Sequence, residues 1–342
     1  MKLATVILYR CLLILLLPAA IISFGFVHFL QSRGEESPIM VNLTILPLSN
    51  YSSTDPEAIE NFDELTLPLK RAGRLFLVEA IIDGESGNLV FDTGATGLVL
   101  NRTYFRNHAC IECGPSNGIT GTTGNIANTI ARDVRIGGLQ FQKIRADVSD
   151  LSHIENRRGV KIIGLMGFNM IKSFEIVIDA NQNELHLYRI DRKGNRIKSD
   201  EQIPVQDHIQ KIEPWHPVLI VKGIIAGKQL NFCFDSGAET NAISNHAPKN
   251  VLNTISITRR SGLKGAGQAT SEVLFGTMND FMLDKTSLNE METIVTNLDA
   301  LSEVYGVTID GMLGYNFLEK GIITINLVKK QFSVRYSKPA TS

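Results

Sequence analysis

The sequence predicts an all-β protein of two homologous β-barrel lobes, produced by an internal duplication, with a cleft between them. The first reason is a repeated tetrad, Asp92-Thr93-Gly94-Ala95 and Asp235-Ser236-Gly237-Ala238, whose copies lie 143 residues apart. The second reason is that short apolar runs alternate with glycine-containing turns, whereas helical periodicity is scarce. Both features indicate two strand-rich halves of common origin.

The repeat extends beyond the tetrads in both directions. Upstream, the segment Ala80–Gly84 aligns without a gap on Gly223–Gly227. Downstream, Gly164–Asp179 aligns without a gap on Gly311–Asn326, and both segments begin with two apolar residues enclosed by glycines. A repeat period of about 145 residues is too long for a solenoid, which favours a duplicated lobe.

Residues 1–33 have the composition of a membrane anchor or an export signal. Lys2 and Arg10 flank the start of an uncharged run from Cys11 to Leu30, which is long enough to span a bilayer. We favour an uncleaved anchor, and a signal cleaved near Ser23–Gly25 is the alternative. The positive charges before the run predict that the rest of the chain is extracytoplasmic, either periplasmic or at the cell surface, or secreted after cleavage.

The segment after the anchor is rich in Pro, Ser, Asn and acidic residues, which predicts a tether with one strand over 41–48. This tether is either a plain stalk or an inhibitory pro-segment. A charged stretch over 191–201 predicts a solvated hinge between the lobes. The expected order is therefore a tether over 34–62, lobe 1 over 63–192, a hinge over 193–202 and lobe 2 over 203–338.

Within lobe 1, the runs RLFLVEAIID and GNLVFDTG predict two strands joined by a hairpin at Asp83–Gly87. Lobe 2 repeats this pattern around Gly227-Lys228. Short strands and glycines continue through both lobes. Helices are expected only over the short segments 103–108, 168–172, 298–305 and 315–320.

Composition and motifs exclude several functional classes. The chain of 342 residues is 44% apolar and 20% charged, which suffices for two hydrophobic cores, and its net charge of −1 gives no reason to expect a nucleic acid partner. Neither H-E-x-x-H nor G-x-S-x-G occurs. The isolated pair Cys110 and Cys113 favours a local disulfide or two thiols over a metal site, so we expect no metal and no cofactor.

Asp92 and Asp235 are the candidate catalytic residues, because each lies where an apolar strand turns into a loop. If the lobes bring these carboxylates together, like charges prevent both from ionising and the pair shares one proton. The ionised carboxylate can then activate water while the protonated one donates to a carbonyl oxygen, as peptide-bond hydrolysis requires. An ordinary turn aspartate is the alternative for each copy, and the matched second copy argues against it.

The neighbours in each tetrad are expected to support this pair. Thr93 and Ser236 carry small hydroxyls that can form hydrogen bonds across the lobe interface. Gly94 and Gly237 allow a sharp backbone turn that brings an N–H group near the carboxylate. Glu239 follows the second tetrad and is expected on a solvated face.

These residues resemble the aspartic protease superfamily, which includes pepsin-like and retropepsin-like enzymes. The resemblance covers roughly residues 65–336 and includes the apolar-apolar-Gly segments that end at Gly164 and Gly311. Alanine after the tetrad glycine is similar to retropepsins, whereas the duplication within one chain is similar to pepsin and to predicted bacterial single-chain aspartyl proteases. The second copy departs from the pattern at Asp310, where the first copy is apolar.

The resemblance implies a retropepsin- or pepsin-like fold in which a glycine-bearing hairpin flap covers the cleft. The glycine-rich stretches Gly118–Gly124 and Gly262–Gly267 match that position, although neither contains the tyrosine of a pepsin flap. The candidate flap and substrate-binding residues are Gly121, Thr122, Thr123, Gly265, Ala266 and Gly267.

The function implied is that of an exported or membrane-tethered aspartic endopeptidase, active as a monomer on an extended polypeptide. One alternative is a non-catalytic protein of the same fold that binds peptides. A further alternative is an actin-like phosphotransferase, whose loops also contain Asp-x-Gly after an apolar strand. The scarcity of helices argues against that second alternative.

Overall fold

The computed structural model describes residues 22–23, 44–45, 56, 58–59, 62–108, 112–118, 121–197, 204–213, 218–264 and 270–337. The expected membrane anchor over 1–33 lies outside them except for β1 (Ile22–Ser23), which pairs with β2 (Thr44–Ile45). Most of the expected tether is also outside them. Among the described residues, no helix combines the length and apolar character needed to cross a membrane.

The remaining strands form two barrel-like lobes, which confirms the predicted all-β fold. The first half contains β3 (Glu64–Pro68), β4 (Lys70–Ala72), β5 (Leu75–Ile82), β6 (Glu85–Asp92), β7 (Leu98–Asn101), β8 (Glu112–Gly118), β9 (Gly121–Ile136), β10 (Leu139–Ser149), β11 (Ile162–Gly167), β12 (Phe174–Asp179) and β13 (Glu184–Arg189). Strands β4 to β11 form one sheet in the order β4-β5-β6-β11-β7-β10-β9-β8, and an extra pairing of β5 with β9 curls this sheet into a barrel.

The second half repeats this plan. It contains β14 (His208–Lys211), β15 (Ile220–Ile225), β16 (Lys228–Phe234), β17 (Asn241–Ser244), β18 (Ile255–Lys264), β19 (Thr270–Met278), β20 (Phe281–Leu283), β21 (Thr286–Leu288), β22 (Met291–Thr296), β23 (Gly311–Leu313), β24 (Gly321–Asn326) and β25 (Gln331–Tyr336). Nine of these strands form the second lobe in the order β18-β19-β22-β17-β23-β16-β15-β20-β21.

A third sheet joins the two halves. Its order is β14-β25-β24-β12-β13-β3, so each half contributes three strands. The seam is the antiparallel pairing of β12 with β24, in which Ile176 lies opposite Ile325 and Ile178 lies opposite Ile323. All four isoleucines are fully buried, so the two lobes share a continuous hydrophobic core at this seam.

The predicted hairpins occur in both lobes with the same turn geometry. Between β5 and β6, Asp83 and Gly84 have φ values of 50° and 89°, and between β15 and β16, Ala226 and Gly227 have φ values of 49° and 73°. Two consecutive residues with positive φ form the tight turn that matches the twist of paired strands. Glycine at the second position adopts positive φ without steric strain, because it has no side chain.

The repeated glycine blocks have a structural reason. Strand β11 lies between β6 and β7, and β23 lies between β16 and β17, with the same directions in both lobes. A methyl group on Gly164 would lie 2.1 Å from the carbonyl oxygen of Val99, and one on Gly311 would lie 2.8 Å from that of Ala242. Any larger residue would therefore push these central strands apart.

Helices are few and short, as expected, but their positions agree only in part. The described residues contain α1 (Ser152–Arg158), α2 (Lys249–Leu252), α3 (Asp299–Tyr305), α4 (Tyr315–Leu318) and a 3₁₀ turn at Phe168–Met170. The sequence predicted α3, α4 and the 3₁₀ turn, and it missed α1 and α2. The helix predicted over 103–108 is wrong, because the segment forms turns in which Asn101 Oδ1 accepts the Thr103 N–H group.

The described start of the expected hinge is mostly exposed, as predicted, but Arg196 is an exception. Arg196 pairs with Glu175 at 2.7 Å, and the two side chains are only 7% and 6% exposed. The Arg196 guanidinium lies over the Tyr188 ring at 3.4 Å, and Asn326 Nδ2 donates to the other oxygen of Glu175. Local sequence did not indicate this exception, because charged residues are rarely buried unless a distant partner neutralises them, and here that partner is on β12.

Candidate active site

Two equivalent strand arrangements position the candidate aspartates. Asp92 is the last residue of β6 and lies opposite Gly167 of the parallel strand β11. Asp235 follows β16 directly, and its N–H group donates to the carbonyl oxygen of Leu313 in β23 at 3.0 Å. Both carboxyl groups therefore project from strand ends at the interface of the two lobes.

The hydroxyl groups of the two tetrads cross this interface. The N–H group of Thr93 donates to Ser236 Oγ at 3.0 Å, and the N–H group of Ser236 donates to Thr93 Oγ1 at 2.9 Å. Thr93 Oγ1 donates in turn to the carbonyl oxygen of Phe234, at 3.2 Å. Ser236 Oγ donates to the carbonyl oxygen of Phe91 at 2.9 Å. Each loop thus satisfies the buried polar groups of the other.

The tetrad glycines let each carboxyl group lie against the opposite lobe. A methyl group on Gly94 would lie 2.7 Å from Asp235 Oδ2, and one on Gly237 would lie 2.6 Å from Asp92 Cγ. The glycine N–H groups also orient the carboxylates, because Gly94 donates to Asp92 Oδ1 at 2.9 Å and Gly237 donates to Asp235 Oδ1 at 2.8 Å. Glycine is therefore required at both positions.

Burial and proximity change the titration of the pair. Asp92 and Asp235 are 8% and 9% exposed. Burial raises the pKa of both, and the pKa of Asp92 lies well above its usual range because the Asp235 charge and a hydrogen bond between the two carboxyl groups add to the effect of burial. The pair therefore holds one proton over a range of pH in which isolated aspartates are ionised.

A small cavity of about 20 Å³ lies beside the two carboxyl groups. Besides Asp92 and Asp235, Gly237 and four apolar side chains line it. This volume can hold a water molecule within reach of a shared proton. Each tetrad glycine lies directly against the carboxyl group of the opposite lobe, so the two loops leave no nucleotide-sized gap between them, which argues against a phosphotransferase.

Three of the six candidate flap residues lie among the described residues, on a hairpin of lobe 1. Gly121, Thr122 and Thr123 begin β9 and pair with the end of β8, so the first predicted hairpin is present in the backbone. Strands β18 and β19 form the second hairpin, and Lys264 lies opposite Thr270. Its expected tip residues Gly265, Ala266 and Gly267 lie outside the described residues, as does the pairing of Cys110 with Cys113.

Glu239 contradicts its predicted place on a solvated face. It is 3% exposed and forms an ion pair with Arg158, while Arg157 Nη1 lies 3.9 Å from the same carboxylate. Arg74 donates to the carbonyl oxygen of Glu239 at 3.4 Å and to Glu292 at 2.6 Å. Three arginines of lobe 1 thus surround the loop that follows Asp235, and no local sequence signal indicated these distant partners.

Tyr305 is a second residue near the aspartates that sequence analysis missed. It ends α3, is 7% exposed and donates its hydroxyl to the carbonyl oxygen of Gly94 at 3.4 Å. The pKa of the Tyr305 hydroxyl lies well above its usual range. Burial is the largest cause, and the nearby Cys233, Asp235 and Asp92 raise the pKa further. A comparison of the two helix ends, each followed by glycine, could have identified its position.

Asp310, the departure from the apolar pattern, has a backbone partner. Its carboxylate accepts the N–H group of Asn231 at 2.8 Å, and its own N–H group donates to the carbonyl oxygen of Asn231 at 2.9 Å. The side chain therefore fixes the start of β23 against the neighbouring strand β16. In the part of the chain that the structure describes, no group of three His, Cys, Asp or Glu side chains converges to hold a metal ion.

Comparison with known proteins agrees with this geometry. A family model described as aspartyl protease matches residues 78–170 and again residues 221–317, which together make up more than half of the chain. Each match contains one tetrad and the glycine block that follows it. No relative was found among curated protein sequences.

Solved structures of proteases are also similar to this chain. The aspartic proteinase from Irpex lacteus aligns over 80% of this chain and 97% of its own, with a TM-score of 0.47 and 11% identity. A retropepsin-like aspartic protease from Rickettsia conorii aligns over 37% of this chain and 89% of its own, with a TM-score of 0.27 and 22% identity. Because the family model matches both halves and most of the described lobes, the chain belongs to the aspartyl protease family.

Proposed function

We propose that the protein is an aspartic endopeptidase in which Asp92 and Asp235 activate a water molecule for attack on a peptide bond. The observation that carries this proposal is that two buried carboxyl groups, one from each lobe, meet in a site held by reciprocal hydrogen bonds of Thr93 and Ser236. Family membership supports the reaction class, since aspartyl proteases act on polypeptides.

In the proposed mechanism the pair donates a proton twice, first to the carbonyl oxygen and then to the leaving amine. The ionised carboxylate takes a proton from water while the oxygen of that water bonds to the peptide carbon, and the protonated carboxyl donates to the carbonyl oxygen. In the collapse of the tetrahedral intermediate, the carboxylate that gave up its proton takes one from a hydroxyl group, the C–N bond breaks, and the other carboxyl passes the proton it took from water to the leaving amine. Gly94 and Gly237 keep the carboxylates oriented through their N–H groups.

The substrate is proposed to be a polypeptide bound in extended form beneath the β8–β9 and β18–β19 hairpins, where its backbone can pair with strand edges. Both aspartates belong to the same chain, so we propose that a monomer is active. The apolar segment over 11–30 supports an extracytoplasmic location, either anchored or secreted. Accessibility of the lobes to added protease in intact cells would test this location.

The test of the function is peptide cleavage by the single variants Asp92→Asn and Asp235→Asn. Each variant removes one member of the shared-proton pair, so turnover of a peptide library, followed by mass spectrometry, should fall by about 10³-fold or more. Asp191→Asn is the matched control, because Asp191 lies in an exposed turn outside the cleft.

Near-normal turnover in either active-site variant would contradict the mechanism. The non-catalytic alternative makes a different prediction, namely that the wild-type chain binds peptides without cleaving them. A statine-type mimic of the tetrahedral intermediate separates the two, because an active pair should bind it tightly and Asp92→Asn should weaken that binding.

A further inference from the structure

We propose that Tyr305 makes this active site one-sided, so that an apolar substrate side chain is accepted next to the scissile bond on the lobe 1 side only. The inference rests on the proposed peptidase function. It follows from comparing equivalent positions of the two lobes, which have the same backbone but different side chains beside the aspartates.

Each lobe has a small hydrophobic cluster behind its tetrad, and the two clusters correspond position by position. The lobe 1 cluster includes Leu75, Val90, Leu151, Ile154 and Leu165. Their equivalents in the repeat belong to the lobe 2 cluster, namely Val218, Cys233, Leu298, Leu301 and Met312. Differences in the space beside the two aspartates therefore come from side chains rather than from a different fold.

The helices α1 and α3 occupy equivalent places and end in the same way. Their N-caps are Leu151 and Leu298, and their C-caps are Gly159 and Gly306, whose φ values are 63° and 64°. The last helical residue is Arg158 in lobe 1 and Tyr305 in lobe 2. One position in the repeat thus carries a cation in one lobe and an aromatic ring in the other.

Arg158 leaves the space beside the aspartates open. Its guanidinium forms an ion pair with Glu239 and lies so close to Gly73 that a methyl group there would be 2.4 Å from Arg158 Nη1. The cavity of about 20 Å³ lies on this side, where its apolar wall consists of Leu75, Val90, Ile154 and Leu165. This cavity has room for one or two groups of the size of water, so it suits a short aliphatic side chain of the substrate.

Tyr305 fills the equivalent space in lobe 2. Its ring packs in the cluster that contains Cys233, Leu301 and Met312, and its hydroxyl reaches the carbonyl oxygen of Gly94 in the opposite lobe. The Tyr305 ring is 7% exposed, so displacing it would lose its packing and the hydrogen bond of its hydroxyl to the opposite tetrad. Within the described residues, a substrate side chain directed to lobe 2 therefore meets the Tyr305 ring where lobe 1 has its apolar cavity.

The test compares residue preferences on the two sides of the cleaved bond in a random peptide library. The wild-type chain should prefer short aliphatic residues on one side and show little apolar preference on the other. Tyr305→Leu removes the ring and should add an apolar preference of about tenfold on the second side. Tyr305→Phe keeps the ring and should leave both preferences unchanged.

A second pair of variants tests the open side. Ile154→Ala enlarges the lobe 1 cavity and should shift the existing preference towards larger aliphatic residues. Leu301, the equivalent residue of lobe 2, packs in the same cluster as Tyr305, so Leu301→Ala should leave the preference unchanged while the Tyr305 ring is present. If Tyr305→Leu does not fold, as judged by thermal unfolding, this pair decides the question.

The outcomes separate this inference from the function on which it rests. Equal apolar preferences on both sides in the wild type, or no change of preference in Tyr305→Leu and Ile154→Ala, would overturn the role of Tyr305 while leaving the peptidase intact. Complete absence of cleavage by the wild type would instead refute the proposed function, and the inference with it.

Discussion

The hydrogen bonds of Thr93 allow the strength of the lobe interface to be estimated. Thr93→Val keeps the shape of the side chain but removes Oγ1, so the Ser236 N–H group and the Phe234 carbonyl oxygen lose this partner. Thr93 and Ser236 are 1% and 0% exposed, so water cannot replace the lost bonds. Each buried unsatisfied group costs about 1–3 kcal/mol, which predicts a loss of about 2–6 kcal/mol in the free energy of unfolding.

Urea unfolding of the wild type, Thr93→Val and Thr93→Ser measures this loss. Thr93→Ser retains the hydroxyl and lacks only a methyl group, so it controls for packing. Cleavage of a peptide substrate should fall in Thr93→Val as well, because the two carboxyl groups lose part of their alignment. If Thr93→Val unfolds within about 0.5 kcal/mol of Thr93→Ser, the hydroxyl does not hold the lobes together and the reasoning fails.

Two further predictions concern charge. Because the folded chain raises the pKa of Asp92 above the ordinary 3.8, the stability from this group is complete below that value and is lost as pH rises through the raised pKa. Stability measured by thermal unfolding should therefore fall less with rising pH in Asp92→Asn than in the wild type. Parallel plots of stability against pH for the two proteins would contradict the raised pKa of Asp92. Glu239→Gln leaves Arg158 buried without its partner and should destabilise the fold by about 3 kcal/mol in urea unfolding. Glu79→Gln, in an exposed pair with Lys70, should have little effect, and equal losses would be evidence against a buried ion pair.

The sequence was sufficient to predict the structural features that both lobes share. Each tetrad combines an apolar strand, an acid and a glycine in consecutive positions, so local pattern and duplication together indicated that Asp92 and Asp235 meet. The hairpin turns at Asp83 and Ala226 were predictable for the same reason, since the following glycine permits positive φ.

The features that differ between the lobes were not predictable from local pattern. The burial of Glu239 depends on Arg158, which is on a helix that the sequence did not indicate. Likewise, the place of Tyr305 beside Gly94 depends on how α3 packs against the opposite lobe. Pairing of charges and filling of space between distant segments are set by tertiary contacts, which hydrophobic periodicity does not encode.

The seam between β12 and β24 limits how this protein can admit a substrate. A rigid rotation of one lobe away from the other would break a backbone ladder whose isoleucines are fully buried on both strands. If the hairpins β8–β9 and β18–β19 cover the cleft as proposed, entry of a polypeptide requires them to move, because the seam holds the floor of the cleft fixed. On that proposal, a crosslink between the two hairpins would block substrate entry, whereas a crosslink across the seam would not.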